Sequence, residues 1–319
     1  MYDDSACGSV RSDSLPSIFS AIGRTPLLTL EFAAEGLTLF AKAEHLNPSG
    51  SIKDRLAQTI FQDLARRRLL RPDTTLLEVS SGNTGISLAM LGAALGCRVH
   101  ILMSDTASVE RQQLIRHHGA ELTLFRADRG YLTGLALADR MAAADPRFVL
   151  PRQFENPLNA RDHATHTAPE ILAAIPGQRV DAFVSGYGTG GTLAGAAVAL
   201  RRANPRLLLA AMEPDGGPLP PGELPCCELI EGIAGGFRPP LLREVAIDLT
   251  IKVGSAEALA MTRRLAREFG LFVGPSSGAN VCAALQVARL LGPSRHVATI
   301  LCDRAERYFS TSLFDLQSN

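Results

Sequence analysis

The segment Asn47–Arg55, NPSGSIKDR, places a lysine in the first turn of a predicted helix. The helix macrodipole disfavours a cation at this end of a helix. The position suits a lysine that is neutral or bound as an imine, because burial and the local positive potential both lower the pKa of the amine. Lys53 is therefore a candidate for Schiff-base chemistry. The alternative is an ordinary surface lysine paired with Asp54 or Asp63.

A loop rich in small hydroxyl residues, Ser80–Gly85 (SSGNTG), follows the apolar run Thr75–Val79 and precedes a helical run. Free backbone N–H groups at a helix N-terminus, together with side-chain donors, form an anion site. Such a site suits the carboxylate of an amino acid, and Asn83 could also donate to a cofactor oxygen. An ordinary helix-capping loop is the alternative, since Ser, Asn and Thr all favour caps.

A glycine loop, Gly186–Thr192 (GYGTGGT), also lies between an apolar run and a helical run. Its backbone amides can cradle a phosphate, and Thr189 and Thr192 add hydroxyl donors. The same loop matches the GxGxxG pattern of dinucleotide-binding folds, and Glu213 follows the next apolar run as a ribose-binding acid would. An NAD-dependent dehydrogenase is therefore an alternative interpretation.

Two features near the C-terminus also carry polar groups. In Gly274–Gly278 (GPSSG), a serine hydroxyl at a turn before a helix could bind a pyridine nitrogen, or could simply cap the helix. Cys302 ends an apolar run and could line a site or serve packing alone. The 7 histidines have no Ser, Cys or acidic partner at motif spacing, so neither a catalytic triad nor a metal site is expected.

Apolar runs alternate with amphipathic runs along the chain. The predicted strands are 39–43, 75–79, 98–103, 121–125, 182–185, 207–212 and 297–302, and most of them are continuous apolar runs, typical of strands buried on both faces. The predicted helices are 54–68, 85–95, 108–118, 133–144, 192–203, 256–269 and 279–290. This alternation predicts an α/β fold with two open, twisted, mostly parallel sheets flanked by helices. Ligands should lie beyond the carboxyl ends of the strands.

Composition narrows the function classes. Lys plus Arg and Asp plus Glu both total 32 among 319 residues, which gives no electrostatic signature for nucleic acid or an anionic membrane. No apolar run reaches the ~20 residues of a membrane span. The N-terminal sequence MYDDS lacks the basic and apolar regions of a signal peptide, so a cytoplasmic protein is expected.

Eight segments, in order along the chain, resemble the cysteine synthases (O-acetylserine sulfhydrylases) of the tryptophan-synthase-β-like family of pyridoxal-phosphate enzymes. They are Ile22–Leu28, Leu46–Arg55, Glu78–Ala89, Glu110–Leu122, Gln153–His163, Gly188–Gly195, Gly274–Asn280 and Ile300–Thr311. The likeness covers roughly residues 16–315. The ending Cys302–Arg304 resembles the B-type enzymes more than the A-type. The resemblance implies the fold called type II among pyridoxal-phosphate enzymes.

The resemblance also implies roles for individual residues. Lys53 forms the Schiff base with pyridoxal 5′-phosphate and is the catalytic residue, and Asn83 contacts the 3′-oxygen of the cofactor. Ser276, rather than Ser277, faces the pyridine nitrogen, and Cys302 lines the cofactor site. The residues implied to bind the phosphate are Gly188, Thr189, Gly190, Gly191 and Thr192. Those implied to hold the substrate carboxylate are Ser80, Ser81, Gly82, Thr84 and Gln153.

The implied reaction is β-replacement on an activated L-serine. Lys53 removes the α-proton, the β-substituent leaves to form an α-aminoacrylate, and a nucleophile adds at the β-carbon. O-Acetylserine and sulfide, which form L-cysteine, are the first expectation. The open alternatives are O-phosphoserine as donor, or cysteine, water or an amine such as glutamate as nucleophile.

One substrate-site position departs from the family pattern. Glu231 lies where A-type enzymes usually carry glutamine. An acid near the β-carbon would repel an anionic nucleophile or a phosphorylated substrate, or would accept a proton from water or an amine. A surface acid without a role is the alternative interpretation of Glu231.

The resemblance also implies the organisation of the chain. Residues 45–157 are expected to form a smaller, mobile substrate-binding domain, and residues 1–44 plus 158–319 a larger domain that binds the cofactor. A homodimer is expected, with serine acetyltransferase as a further partner through its C-terminal tail. A non-catalytic binding protein is a third alternative, although such a protein has no need of Lys53.

Overall fold

A computed structural model describes residues 15–126, 131–216, 230–233 and 238–315. The chain divides into two compact units. The first comprises the described residues up to Ile22 and Asn47–Gln153, and the second comprises Gly23–Leu46 and the described residues from Phe154 onward. Residues 1–14, 127–130, 217–229, 234–237 and 316–319 lie outside the described residues.

The described residues form ten strands and ten α-helices. The strands are β1 (Leu27–Phe32), β2 (Leu37–Ala43), β3 (Thr75–Val79), β4 (Arg98–Ser104), β5 (Glu121–Phe125), β6 (Phe148–Val149), β7 (Ala182–Gly186), β8 (Leu208–Pro214), β9 (Leu249–Val253) and β10 (Val297–Leu301). The helices are α1 (Ser17–Ser20), α2 (Lys53–Arg66), α3 (Asn83–Leu95), α4 (Val109–His117), α5 (Tyr131–Ala144), α6 (Pro157–Asp162), α7 (Ala168–Ala174), α8 (Gly191–Ala203), α9 (Ser255–Phe269) and α10 (Pro275–Leu291). A π-helical turn, His163–Thr167, joins α6 to α7.

The first unit contains a four-stranded parallel sheet of order β5-β4-β3-β6. Successive side chains of β3 point to opposite faces of this sheet. Leu76 packs in a core with Ile60 of α2 and Ile86 of α3, whereas Leu77 packs on the other side with Phe125. Burial on both faces explains why β3 is continuously apolar.

The second unit contains a six-stranded sheet of order β1-β2-β10-β7-β8-β9. The pairs are parallel except for β1 with β2, which form an antiparallel hairpin at one edge. Helix α10 is buried along most of its length and shares a core with the strands. The strands β3, β7 and β10 all run into segments that the sequence singles out for chemistry, as expected for the carboxyl ends of parallel strands.

The predicted fold class, α/β with two mostly parallel sheets flanked by helices, is confirmed. The strands β1, β6 and β9 and the helices α1, α6 and α7 were not predicted. Residues expected in the larger domain pack in the first unit, where Phe19 and Ile22 share a core with Leu56. In the described part of the chain, no helix combines the length and apolarity needed to cross a membrane.

Candidate active site

Lys53 is the first residue of α2 and is half-buried. The neighbouring Asp54 is fully buried and accepts hydrogen bonds from the Ser49 backbone N–H at 2.7 Å and the Ser87 hydroxyl at 2.6 Å. Asp63, the other acid considered as a partner of Lys53, forms ion pairs with arginines of its own helix and the residue that follows it. Asp54 therefore links the turn before α2 to helix α3, and so fixes the start of α2, where Lys53 lies.

The Ser80–Gly85 loop is shaped by its own first residue. The Ser80 hydroxyl oxygen accepts hydrogen bonds from the N–H groups of Gly82 and Gly85, both at 3.0 Å. Gly82 adopts a φ of +151°, and a Cβ there would lie 2.2 Å from Cδ of Arg111. Glycine is thus required at this position by both backbone conformation and space. The loop delivers Ser81 and Asn83 half-buried at the start of α3, where helix amides favour an anion.

Thr84 and Gln153, both predicted to hold a substrate carboxylate, contact each other. The Thr84 hydroxyl donates to Oε1 of Gln153 at 2.6 Å, and Nε2 of Gln153 donates to the Val79 carbonyl at 2.7 Å. Both side chains are buried, with exposed fractions of 2% for Thr84 and 4% for Gln153. The structure therefore brings these two predicted residues together and anchors them to the end of β3.

A buried acid that the sequence did not single out supports the same loop. Glu78 of β3 accepts hydrogen bonds from the backbone N–H groups of Val79 at 2.9 Å and Gln153 at 3.2 Å. Burial raises the pKa of the Glu78 carboxyl to about 7, despite these two hydrogen bonds, which favour the charged form. The Tyr131 hydroxyl donates to the Val79 carbonyl at 2.5 Å, and burial raises the pKa of that hydroxyl.

The glycine loop of the second unit runs from the end of β7 into α8. Gly190 adopts the left-handed region, with φ of +85°, and a Cβ on Gly188 would lie 2.8 Å from the Gly232 carbonyl oxygen. The loop thus needs glycine at 190 because of the backbone conformation, and at 188 because a side chain would have no space. Helix α8 begins at Gly191, so its first amides and the hydroxyls of Thr189 and Thr192 form a set of donors suited to a phosphate.

Residues of α6 and the π-helical turn contact these two hydroxyls. Asn159 Nδ2 donates to the Thr189 hydroxyl at 2.8 Å, and His163 Nε2 lies 3.2 Å from the Thr192 hydroxyl. Neither Asn159 nor His163 was predicted to contact the glycine loop. The segment Gln153–His163 was identified as a motif, but nothing in its spacing indicated which side chains contact the glycine loop.

The start of α10 distinguishes the two candidate serines. Ser277 is fully buried, and its hydroxyl oxygen accepts a hydrogen bond from the Cys302 backbone N–H at 2.8 Å. Ser276, which precedes it, is 4% exposed and has no side-chain hydrogen bond to the described residues. The Ser277 hydroxyl is thus engaged with the Cys302 backbone, and the role of Ser276 toward a ring nitrogen stays a prediction.

Asn280 of α10 joins the carboxyl ends of two neighbouring strands. Its Oδ1 accepts from the Gly186 N–H at 2.6 Å, and its Nδ2 donates to the Ile300 carbonyl at 2.9 Å. Nδ2 also lies 3.4 Å from the sulfur of Cys302, which is half-buried. Asn280 ends the segment Gly274–Asn280, for which no role of this residue was predicted. In the structure it links the glycine loop to the end of β10.

Glu231 lies in the short described segment 230–233 and is half-buried. The carbonyl of the next residue, Gly232, is the group that a Cβ on Gly188 would meet. The segment carrying Glu231 therefore lies against the glycine loop. No group of three or more His, Cys, Asp or Glu side chains within the described ranges could hold a metal ion.

Pyridoxal phosphate fits the chemistry of these residues. The first unit supplies a lysine amine and an anion site at the start of α3. The second supplies a helix N-terminus with two hydroxyls for a phosphate, and the Ser276 hydroxyl for a ring nitrogen. A hydroxyl partner for the ring nitrogen suits a reaction in which the pyridine stays largely unprotonated.

Comparisons with known proteins agree with this chemistry. A family model described as "Pyridoxal-phosphate dependent enzyme" matches residues 18–303. The chain is 42% identical to O-ureido-L-serine synthase of Streptomyces lavendulae over 301 residues, or 94% of this chain and 92% of that protein. It is 38% identical to cysteine synthase of Staphylococcus aureus over 300 residues, or 93% and 96%. The crystal structure of O-acetylserine-dependent cystathionine β-synthase from Helicobacter pylori matches with a TM-score of 0.87 and 35% identity, covering 94% and 99%.

Proposed function

Because this chain belongs to the family of pyridoxal-phosphate-dependent enzymes and is of the cysteine synthase type, we propose that it joins O-acetyl-L-serine and hydrogen sulfide into L-cysteine and acetate. The observation that carries the proposal is the position of Lys53. A lysine at the first residue of a helix, half-buried and set by the buried Asp54, is suited to amine chemistry rather than to a solvated charge. The names of the cysteine synthase and cystathionine β-synthase relatives support the donor and the product.

The proposed mechanism assigns separate tasks to the two units. When bound, pyridoxal phosphate withdraws electrons from the substrate α-carbon, so that the α-proton and the β-acetate can leave. The Lys53 amine would take the α-proton and later return it. The loop at the start of α3 would bind the substrate carboxylate through Ser81 and the helix amides, with Thr84 held by Gln153, while Asn83 would contact the 3′-oxygen of the cofactor. Ser276 would present its hydroxyl to the ring nitrogen.

A second candidate product is O-ureido-L-serine, favoured by the 42% identity to an O-ureido-L-serine synthase. This reaction needs an oxygen nucleophile, the hydroxyl of N-hydroxyurea, which arrives neutral and must lose a proton. Glu231 suits that step as a proton acceptor, whereas its negative charge would repel hydrosulfide. The nucleophile, sulfide or a hydroxyl group, therefore distinguishes the two candidate reactions.

One experiment separates these products. The purified protein is first tested for a yellow chromophore that borohydride bleaches and O-acetylserine shifts. The enzyme is then given O-acetylserine with sulfide, with hydroxyurea or with neither, and the products are identified by mass spectrometry. L-Cysteine formation at the highest kcat/KM supports the first proposal, whereas preferred formation of O-ureido-L-serine supports the second. Absence of both products would contradict the two together.

Lys53→Ala is the matched test of the catalytic residue. Since an alanine cannot form a Schiff base, we expect the variant to lose both turnover and borohydride-fixed cofactor. Arg66→Ala at the other end of the same helix is the control, because that side chain is exposed and ion-paired with Asp63. Undiminished turnover and covalently fixed chromophore in the Lys53 variant would overturn the proposal.

The alternative interpretation as an NAD-dependent dehydrogenase is wrong, since the family model matches pyridoxal-phosphate enzymes. Glu213, considered as a ribose ligand, instead accepts a hydrogen bond from the Tyr187 hydroxyl at 2.6 Å and forms an ion pair with Lys252. Cytoplasmic location, homodimerisation and docking of a serine acetyltransferase tail remain predictions. Light scattering of the purified protein, alone and with a peptide of that tail, measures the last two.

A further inference from the structure

Helix α8 presents two glycines one turn apart, Gly191 and Gly195, toward α6 and the π-helical turn. A Cβ on Gly191 would lie 2.0 Å from Oδ1 of Asn159, and one on Gly195 would lie 2.2 Å from the Ala160 carbonyl oxygen and 2.7 Å from Cβ of His163. Real side chains never come so close, so α6 can reach α8 only because both positions are glycine. The close approach brings Asn159 and His163 to the start of α8.

Both residues bind a hydroxyl of the glycine loop. Thr189 Oγ1 accepts from Asn159 Nδ2 at 2.8 Å and from the Gly191 N–H at 3.4 Å. Since the oxygen is an acceptor in both contacts, the Thr189 proton remains available for a further acceptor. Asn159 is 2% exposed, which keeps water from competing for this hydrogen bond.

His163 has a partner on each ring nitrogen. Its Nδ1 lies 2.9 Å from the hydroxyl of Thr167, and its Nε2 lies 3.2 Å from the hydroxyl of Thr192. When the fully buried Thr167 donates to Nδ1, the ring carries its proton on Nε2 and donates it to Thr192. Thr192 then keeps its own proton for another acceptor. His163 is itself 3% exposed, so both contacts are shielded from solvent.

We propose that Asn159 and His163 are positioning residues that turn the Thr189 and Thr192 hydroxyl protons toward the cofactor phosphate. The inference rests on the proposed function, because it needs a phosphate at the start of α8. A phosphate accepts hydrogen bonds only, so a hydroxyl that already accepts one elsewhere is oriented to donate to it. The π-helical turn fits this role, since such turns are rare and are frequently found at functional sites, and here it carries His163.

The test compares His163→Asn with His163→Gln. Glutamine places an amide N–H near the position of the ring Nε2 and can still donate to Thr192, whereas asparagine is too short. We expect His163→Asn to release pyridoxal phosphate about tenfold faster than the wild type, as for loss of one hydrogen bond to a charged group. His163→Gln should stay near the wild-type rate. The phosphorus-31 resonance of the bound cofactor should move in the asparagine variant alone.

The neighbouring His166 provides a matched control, because it lies on the same π-helical turn but is exposed. His166→Asn should leave both the release rate and the phosphorus resonance unchanged. Asn159→Asp is an independent arm that needs no change at His163. The carboxylate would accept the Thr189 proton and repel the phosphate, so release should again accelerate about tenfold or more. If His163→Asn does not fold, the release rate of Asn159→Asp tests the inference on its own.

A double-mutant cycle separates orientation from general structure. If His163 acts through Thr192, His163→Asn should add almost nothing to the release rate of a Thr192→Val variant. Fully additive effects, or wild-type release rates in both His163→Asn and Asn159→Asp, would overturn the inference while leaving the proposed function intact. A wild-type protein that binds no pyridoxal phosphate would instead contradict the proposed function itself.

Discussion

The Thr84 hydroxyl donates a 2.6 Å hydrogen bond to the side-chain oxygen of Gln153. The other end of the same amide donates to the Val79 carbonyl, where β3 enters the Ser80–Gly85 loop. Gln153 was predicted to hold the substrate carboxylate itself. In the structure its amide closes a link between the end of the strand and the first turn of α3, so it also fixes where Thr84 points.

Replacing Gln153 tests this positioning role. Gln153→Ala leaves the Thr84 hydroxyl and the Val79 carbonyl without these partners, so the loop loses its fixed geometry. We expect KM for O-acetylserine to rise about tenfold, the effect of one hydrogen bond to a charged group. Initial rates as a function of O-acetylserine concentration measure the effect. Gln113→Ala on the exposed side of α4 should behave as wild type. Equal KM values for the two variants would remove Gln153 from substrate recognition.

Glu78 predicts a pH dependence of stability. Burial raises the pKa of this carboxyl from 4.5 to about 7, so between these pH values the folded protein binds a proton that the unfolded chain does not. The Glu78 contribution to folding therefore falls as pH rises through this window. Glu78→Gln removes that loss and keeps an acceptor for the Val79 N–H. Its stability relative to the wild type should rise by roughly 3 kcal/mol across the window.

Urea unfolding of the wild type and Glu78→Gln across this pH range measures the difference between their free energies of unfolding. Groups that titrate alike in both proteins cancel in this difference. A difference that is flat with pH would mean that Glu78 is ionised in the folded protein throughout. A difference that falls as pH rises would mean that its two backbone hydrogen bonds outweigh burial.

Asn280 predicts a large loss of stability. Asn280→Ala leaves the Gly186 N–H and the Ile300 carbonyl buried without their partners. We expect the free energy of unfolding to fall by about 3 kcal/mol, as for two unsatisfied backbone groups. Leu290→Ala on the same helix is the control, since its side chain is 70% exposed and its loss should cost less than about 0.5 kcal/mol. Denaturant unfolding compares them, and equal losses would refute the role of Asn280.

Glu231 predicts the choice of nucleophile. Glu231→Gln removes a negative charge that repels hydrosulfide and a base that a hydroxyl nucleophile would use. We expect the ratio of sulfide to hydroxyurea turnover to rise about tenfold, measured with both nucleophiles at fixed O-acetylserine. Glu244→Gln, an exposed acid in the second unit, is the control. Unchanged relative rates in Glu231→Gln would support the interpretation of this residue as an acid without a role.

Most of the strands that the sequence predicted are buried along most of their length, with β5 at an edge of the four-stranded sheet as the exception. Continuous apolar runs such as Thr75–Val79 could be recognised without knowledge of their neighbours. The missed strands β1 and β9 alternate between exposed and buried residues, because they form the two edges of the six-stranded sheet. Helices α6 and α7 were missed because each is short and has a proline in its first turn, which reads locally as a break.

The residues of the candidate site also fall into those that could be predicted from the sequence and those that could not. Lys53 and the two loops could be found because each motif is continuous in sequence and lies at a helix start. The supporting residues could not, because each acts on a partner distant along the chain, as Asn280 does on Gly186 and His163 on Thr192. A single sequence contains no record of such pairs, although glycine at both 191 and 195 was a signal of a close helix contact.

The place of β10 in the six-stranded sheet has a consequence for synthesis. This strand, which follows the other five strands of its sheet along the chain, pairs with β2 on one side and β7 on the other. Until it leaves the ribosome, the nascent chain holds only a hairpin of β1 and β2 and a separate trio of β7, β8 and β9, each with an apolar edge unpaired. The strands β3 to β6 have no such dependence. Folding during translation should therefore begin in the first unit and leave those edges exposed to aggregation until β10 has been made.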